Sequence, residues 1–245
     1  MNYAENAPGS SSPEIFIYNP EGQNANVSME KLQLEGGNIV IFTLGGGDNV
    51  PDRSSNAKRM AKEISRVLDN SKVFGKDGAP INFLGPENLL NSFRQVQQEI
   101  LKNESNKKKD EIDADYLLVF LIIDEDSNYR LYCMGSGNSL VAVIIRKGAD
   151  SVEQINITNG EISLSKKKNN SLPPIFEGVL KPGDFLLLLT ENMKKSLADR
   201  FPYEEVRNGT CESIAKEISE RAKNADKSDN PFRSYPVVVI MAPEL

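Results

Sequence analysis

The residues of this sequence that could take part in metal binding or catalysis are carboxylates and glycines. The chain contains no histidine, which excludes Ser-His and Cys-His nucleophilic systems and every zinc site with a histidine ligand. Its two cysteines, Cys133 and Cys211, lack metal-ligand spacing and are expected to be reduced packing residues. Carboxylates remain, and they are the main protein ligands of hard divalent cations such as Mg²⁺.

Three carboxylates stand in short polar motifs beside apolar runs or glycines. Asp48 lies in Gly-Gly-Asp-Asn, Glu191 in Thr-Glu-Asn and Asp229 in Asp-Asn. Each has an ordinary structural interpretation as well, because Asp and Asn are common in turns and Glu191 suits a surface position or a helix cap. The glycines Gly45 to Gly47 offer backbone donors to a phosphate, but they lack the Lys-Ser/Thr of a P-loop and the spacing of a dinucleotide-binding motif.

Hydrophobic periodicity predicts the elements that would position these residues. Helical spacing of apolar residues predicts three amphipathic helices, the first of them with Ser54 and Ser55 as its caps, and short apolar runs predict strands. The helices cover 54–68, a segment from residue 86 to about 101, and 211–222; the strands are 14–18, 38–43, 116–123, 129–134, 139–146, 151–157, 161–164, 185–190 and 236–241.

The order of these elements favours an α+β fold. Strands come first, then two helices, many strands, one helix and a last strand, without the strict alternation of a parallel α/β fold. The turns at 124–128 and 135–138 predict that the three central strands form an antiparallel meander, with Gly137-Asn138-Ser139 as a hairpin turn. Residues 14–245 are expected to form one domain, preceded by a disordered tail over 1–13.

Charge and hydropathy exclude some partners. The chain has 29 Lys and Arg against 35 Asp and Glu, for a net charge of -6, and this balance argues against generic binding of nucleic acid or anionic membranes. The longest apolar runs, 116–123 and 185–189, are far shorter than the roughly 20 residues of a membrane-spanning helix. The start of the chain has no signal-peptide pattern. A cytoplasmic location is expected, and export by a specialised system that needs no cleavable signal stays open.

Four segments, read in order, resemble the signature stretches of the type-2C (PPM-type) metal-dependent protein serine/threonine phosphatases. Each stretch alone is common, but the four occur in the family's order with two predicted helices correctly placed, and they span nearly the whole chain. They are Ile41–Asp48 with the helix after it, Tyr129–Ser139 continuing to Gly148, Leu180–Thr190, and the helix from Cys211 with Asp229-Asn230 before the terminal strand.

The resemblance implies a fold and an activity. The implied fold is a sandwich of two antiparallel sheets with helices packed on both outer faces. Family members hydrolyse phosphoserine and phosphothreonine with two Mn or Mg ions that activate a water molecule. Two such ions bring four positive charges into one cleft, so the number of carboxylates decides whether this chemistry can occur.

The sequence departs from the family at most of these positions. Where the family has a metal-bridging Asp followed by Gly, this chain has Leu44-Gly45, and Gly-Asp-Ser becomes Gly137-Asn138-Ser139. The early acidic pair becomes Ala25-Asn26 in a loose alignment, and Thr-Asp-Gly becomes Thr190-Glu191-Asn192. Asp229 matches a ligand position unchanged, and Asp48 could supply a carboxylate downstream of Leu44. These departures predict a degenerate site, with Asp229, Glu191 and Asp48 as vestigial or rearranged metal ligands.

Three functions follow from this pattern. The first is a pseudophosphatase that needs no cofactor and binds a protein partner, such as a phosphoprotein, a kinase or a phosphatase. The second is an active Mn- or Mg-dependent phosphatase with a rearranged metal site. The third is an unrelated structural or secreted interaction protein, which a fold without the double-sheet sandwich would establish. The oligomeric state and the identity of the partner stay open.

Overall fold

The computed structural model of the protein describes residues 12–20, 26–34, 37–46, 50–70, 86–106, 112–123, 128–136, 139–147, 152–156, 175–197, 201–226 and 235–242. Strands and helices make up most of these ranges. Their bounds, in chain order, are β1 (Glu14–Tyr18), β2 (Val27–Leu34), β3 (Gly37–Gly45), α1 (Val50–Asn70), α2 (Pro86–Asn106), β4 (Ala114–Ile123), β5 (Tyr129–Ser136), β6 (Leu140–Lys147), β7 (Val152–Asn156), β8 (Phe176–Leu180), β9 (Phe185–Thr190), α3 (Glu191–Leu197), α4 (Tyr203–Asn208), α5 (Cys211–Ala225) and β10 (Val237–Met241).

The strands form two five-stranded sheets. Sheet I has the order β1-β10-β9-β6-β7, and sheet II has the order β2-β3-β4-β5-β8. All the strand pairs are antiparallel. The predicted α+β sandwich of two antiparallel sheets with helices is therefore confirmed.

The central strands are apolar on both faces because each face is covered. In β3, Val40 and Phe42 pack into the core between the sheets, whereas Ile39 and Ile41 pack against α1 and α2. Sheet I behaves in the same way, with its other face against α3, α4 and α5. Successive residues of a strand point to opposite faces, so continuous apolar runs are required in such a four-layer structure.

The residues at the starts of α5 and α1 are of types that favour helix initiation. Helix α5 has Thr210 as its N-cap, and the Thr210 and Ser213 side chains form a reciprocal capping box with each other's backbone N–H groups. Helix α1 begins at Val50, so Pro51 lies in its first turn, where a missing N–H costs nothing. No helix among the described residues is long and apolar enough to cross a membrane.

Two sequence-based predictions are wrong, one about strand pairing and one about a helix start. Strands β5 and β6 belong to different sheets and do not pair with each other, so the predicted meander ends at β5 and these two strands do not form a hairpin. Gly137 and Asn138, at the centre of the predicted hairpin turn, lie outside the described residues. Both strands are buried on both faces, so their sequence pattern does not indicate the sheet to which each belongs. The predicted caps Ser54 and Ser55 lie inside α1, one turn after its start.

Several elements were missed, and others cannot be compared. The sequence patterns did not indicate β2, β8, α3 or α4. The predicted strand 161–164 and most of the predicted tail 1–13 lie outside the described residues.

Candidate functional site

Five polypeptide segments meet at one end of the sandwich, and hydrogen bonds join them. Gly45 N–H donates to the Asn26 carbonyl oxygen (2.8 Å), and Gly46 N–H donates to the Asp113 carbonyl oxygen (2.7 Å). These contacts bring the end of β3 to the start of β2 and to the residues before β4. The start of β6 and the junction of β9 with α3 lie at the same end, because Ser139 connects them to β4. Leu44 and Glu191, two of the positions at which the resemblance implies metal ligands, are both at this end.

Leu44 lies at this end with its side chain facing the space between the sheets. It is half-buried and packs against the apolar core between the sheets. Its cross-strand partner in β4 is Asp115, and by strand alternation Asp115 shares the face of Leu117 and Val119, which belong to the same core. The side chain at position 44 therefore extends the inter-sheet core where a metal-bridging carboxylate is expected from the resemblance.

Gly45 and Gly46 allow close approach of neighbouring chain segments. A Cβ atom at position 45 would overlap the Arg53 carbonyl oxygen in the first turns of α1. A Cβ atom at position 46 would lie 2.5 Å from the Asp113 carboxylate. These glycines are thus required for packing of α1 and of the β4 entry against β3, and the Asp113 carboxylate lies directly beside Gly46.

Asp115 links the two sheets through Ser139. The Ser139 N–H donates to Asp115 Oδ2 (3.0 Å), and the Glu191 N–H donates to the Ser139 carbonyl oxygen (2.9 Å). Asp115 belongs to sheet II, whereas Ser139 and Glu191 flank strands of sheet I. A carboxylate therefore fastens the two sheets together at the end where the family's metal site would lie.

Glu191 and Asn192 begin α3, directly after β9. The Thr190 hydroxyl accepts a hydrogen bond from the Met193 N–H (3.3 Å) and caps the helix. The Glu191 carboxylate lies in the first turn of the helix and forms an ion pair with Lys195 (3.6 Å). Asn192 is exposed on the helix surface and carries no charge. This geometry gives Glu191 a partner on its own helix.

The turn before β9 is structural. Gly183 has φ of 83°, and with Pro182 before it the turn has the residues that a type II turn requires. The buried carboxylate of Asp184 accepts a hydrogen bond from the Lys181 N–H (3.0 Å), and the turn pairs with Ala242 after β10. The Pro-Gly-Asp motif thus fixes the start of β9, at the end of that strand away from Glu191.

The remaining site predictions lie outside the described residues. These positions are Asp48, Asn138 and Asp229. Among the residues that the structure does describe, no group of three or more Cys, Asp and Glu side chains is arranged to hold a metal ion. Of the predicted positions, the structure therefore places Leu44, Gly45, Glu191 and Asn192, and hydrogen bonds through Ser139 and Asp115 connect Glu191 to the strand beside Leu44.

The two cysteines are buried and free, as the sequence predicts. Burial raises the pKa of each thiol to about 12, because a thiolate is unfavourable in an apolar environment. Cys133 packs in the core between the sheets, and Cys211 packs between sheet I and α5. A buried thiol with a raised pKa is a poor nucleophile.

Sequence reasoning missed Asp113 and Asp115. Neither belongs to a motif that the resemblance singles out, and both precede an apolar run in an acidic stretch that looks like a loop. The signal that could have found Asp115 is the strand register, which puts it directly opposite Leu44.

Comparison of the sequence with protein-family models found no match, and comparison with curated proteins found none either. Solved structures do match. The PP2C phosphatase domain with a fragment of the regulatory domain of SpoIIE from Bacillus subtilis gives a TM-score of 0.64 at 14% identity, over 95% of this chain and 64% of that chain. The present chain thus spans less than two thirds of that SpoIIE chain.

Two further structures match along almost their whole length. The serine/threonine phosphatase of S. agalactiae gives a TM-score of 0.62 at 12% identity, over 94% of this chain and 99% of that chain. The catalytic domain of the phosphatase PstP, solved in complex with two manganese ions, gives 0.55 at 14% identity, over 94% and 97%. The chain therefore has the fold of the PP2C-type phosphatases.

Proposed function

We propose that this chain is a PP2C-fold protein without phosphatase activity that acts by binding another protein. The observation that carries the proposal is the side chain at position 44. Where the family resemblance puts a bridging carboxylate, Leu44 packs against the inter-sheet core opposite Asp115.

The loss of this carboxylate should strongly weaken metal binding, because a carboxylate at this position would balance part of the charge of the metal ions. Two divalent cations bring four positive charges into the cleft, and each prefers several oxygen ligands. An apolar side chain supplies no lone pair to either ion. A site that needs one carboxylate bridging both ions is therefore the most sensitive to a leucine at this position.

The neighbouring positions support the same proposal. Glu191 keeps a negative charge, but its carboxylate forms an ion pair with Lys195 on the same helix. Asn192 and Asn138 are amides, which bind cations more weakly than carboxylates. The Asp115 carboxylate accepts the Ser139 N–H and holds the sheets together. Glu191 and Asp115 thus each have a partner within the protein.

A protein that keeps the PP2C-type fold but does not hydrolyse phosphate would act by binding other proteins. Solved matches include the SpoIIE fragment with part of its regulatory domain and a structure described under the bacterial stressosome. A partner for this chain would be a phosphoprotein, a kinase or a phosphatase, and the proposed setting is the cytoplasm. Residues 14–245 would act as one phosphatase-like domain.

Phosphate release from a phosphothreonine peptide tests the loss of activity. We expect no release above background with millimolar Mn²⁺ or Mg²⁺, using an active PP2C-type phosphatase as the positive control. Metal-dependent release that disappears on Asp229→Ala would contradict the proposal. Binding of a specific partner, measured with purified proteins, would be a second line of support for the proposal.

The second candidate function is an active metal-dependent phosphatase with a rearranged site. It is favoured by Asp115, a carboxylate on the strand next to Leu44 and on the same face of the sheet, and by the Asp113 carboxylate beside Gly46. With Asp48, Glu191 and Asp229, these residues would form a different ligand set. Under this alternative, Mn-dependent turnover is present and is lost in both Asp115→Ala and Asp229→Ala.

A further inference from the structure

Strand β8 forms one edge of sheet II. It is the last strand in the sheet, and among the described residues it pairs with β5 alone. In an antiparallel strand, alternate residues direct their backbone N–H and C=O groups away from the paired neighbour. The free side of β8 therefore presents a row of backbone donors and acceptors, which is a template for pairing with another extended chain.

The outer face of β8 is uncovered next to this edge. The apolar cluster beneath α1 and α2 includes residues of β3, β4 and β5, whereas Glu177 and Val179 of β8 are exposed. Val179 has 37% of its surface exposed, and Tyr203 is the other large apolar side chain that is exposed in the described part of the chain. The free edge of β8 is thus continuous with a carboxylate and an apolar side chain that face solvent.

The inner face of β8 is filled by the strand's own side chains. Phe176 and Leu180 pack against the core between the sheets. A Cβ atom at position 178 would lie 2.7 Å from Phe176 Cε1, so the Phe176 ring occupies the place of the side chain that Gly178 lacks. A strand added at this edge would therefore be selected by the side chains that it presents on the outer face.

Two other described edge strands, β2 and β1, are protected in ways that β8 is not. In β2, the exposed Lys31 lies on the face of Val27 and Met29, which pack in the core between the sheets. An inward-pointing charge of this kind opposes pairing with a further strand. In β1, Phe16 and Tyr18 pack against the apolar cluster to which α5 belongs. The combination of a free edge and an open outer face thus distinguishes β8 from β1 and β2.

We infer that β8 binds an extended segment of another protein as a sixth, antiparallel strand of sheet II. The inference rests on the proposed protein-binding function and names its surface. On the outer face, the added strand would place an apolar residue beside Val179 and a basic residue beside Glu177, because such cross-strand pairs are favourable. Since the added strand runs antiparallel to β8, the apolar residue precedes the basic residue by two positions in its sequence.

The charge of the edge supports a basic segment. Glu177 is the charged residue of β8, and Arg130 lies one strand further in, opposite Val179. Glu177 Oε1 accepts a hydrogen bond from the Tyr132 hydroxyl (3.4 Å), and a carboxylate has further acceptor positions on both oxygens. A second copy of this chain matches the edge less well, because antiparallel pairing of β8 with its copy about Gly178 would put Glu177 beside a valine.

A labelled, threonine-rich peptide of about twelve residues is the probe, measured by fluorescence anisotropy with the full chain. It carries one valine and, two positions later, one lysine, and is called Val-x-Lys. The control peptide, Lys-x-Val, has the same composition in the opposite order. Val-x-Lys should bind about threefold more tightly, because cross-strand pairs have modest individual effects. Its binding should slow hydrogen exchange of the backbone amides within 176–180 and leave those of α5 unchanged.

Reversal of the charge at position 177 tests the direct contact. Glu177→Lys should weaken binding of Val-x-Lys by about fivefold, since reversal removes attraction and adds repulsion. A Val-x-Glu peptide should bind this variant about as tightly as Val-x-Lys binds the wild-type protein, and this recovery also shows that the variant is folded. The matched control is Glu220→Lys at an exposed position of α5, which changes the net charge by the same amount and should leave binding within about twofold.

Several outcomes would overturn the inference. They are absence of peptide binding by the wild-type protein, equal binding of the two peptide orders, unchanged hydrogen exchange within 176–180, and equal weakening by both variants. Dimerisation of the wild-type protein in sedimentation, abolished by Val179→Lys, would also overturn it by assigning the edge to a second copy. Phosphate release by the wild-type protein would instead overturn the proposed inactivity and leave binding at β8 intact.

Discussion

Introducing a carboxylate at position 44 should destabilise the fold rather than restore a metal site. In Leu44→Asp, the new charge would face the inter-sheet core and would lie directly across the strand pair from Asp115. Side chains that are directly opposite in antiparallel strands have Cβ atoms about 5 Å apart. The two carboxylates would therefore repel each other, and the apolar contacts of Leu44 would be lost.

The size of the effect follows from two contributions. Two unit charges about 5 Å apart repel by about 1 kcal/mol in water and by about 3 kcal/mol at an effective dielectric constant of about 20. Loss of a half-buried leucine costs about 1–2 kcal/mol, less than for a fully buried one. Because both side chains are only partly buried, the free energy of unfolding should fall by about 2–4 kcal/mol at neutral pH.

Urea denaturation of Leu44→Asp and Leu44→Asn separates these contributions. The amide variant loses the same apolar contacts but adds no charge, so the difference between the variants is the repulsion. Like-charge repulsion raises the folded-state pKa of a carboxyl, so the extra instability is present at neutral pH and disappears as the pH falls and the pair takes up a proton. Equal stability of the two variants at neutral pH, or a large gain in stability of Leu44→Asp with Mn²⁺, would refute this reasoning.

Three further perturbations test the site and its supports. Asp115→Ala should lower the unfolding free energy by about 1–3 kcal/mol, because the Ser139 N–H loses its acceptor; a change below about 0.5 kcal/mol in urea denaturation would show that this link between the sheets is dispensable. Thr210→Ala removes the N-cap of α5 and should cost about 1 kcal/mol by the same measurement, against a near-neutral Lys223→Ala control. Both cysteine thiols, with pKa raised to about 12, should resist alkylation in native protein at mildly alkaline pH and react on denaturation; rapid native labelling would contradict their burial.

The strands of the inner layers were predictable from sequence, and the short peripheral elements were not. Runs such as Asn38–Thr43 and Phe185–Thr190 are apolar on both faces, which is a strong signal. In β2 the apolar residues change face between Met29 and Leu32, so the alternation is broken. Helix α3 has 7 residues, too few to show a helical period.

The partition of strands between the sheets also required the structure. Strands β5 and β6 are close in sequence and similar in composition, so adjacency in the chain suggested pairing. A strand that is buried on both faces carries no information about which neighbour it pairs with. The same limit explains why the pairing of Leu44 with Asp115 was not foreseen, because register depends on contacts between distant segments.

Part of the candidate site could be predicted from the sequence, because a change of residue type at a position of the family's motif can be recognised without a structure. The leucine at position 44, the amides at 138 and 192, and the longer side chain of Glu191 could all be recognised from the resemblance. The ion pair of Glu191 with Lys195 and the hydrogen bond from Ser139 to Asp115 appear only in the structure. They show how those two carboxylates are engaged without a metal ion.

Calorimetric titration of the purified protein with Mn²⁺ tests the proposed loss of the metal site most directly. The account predicts no binding tighter than roughly millimolar, because the bridging ligand is absent and the carboxylates of Glu191 and Asp115 have protein partners. Binding of two Mn²⁺ ions per chain at micromolar concentrations, abolished by Asp229→Ala, would contradict it and would make the rearranged catalytic site the better description.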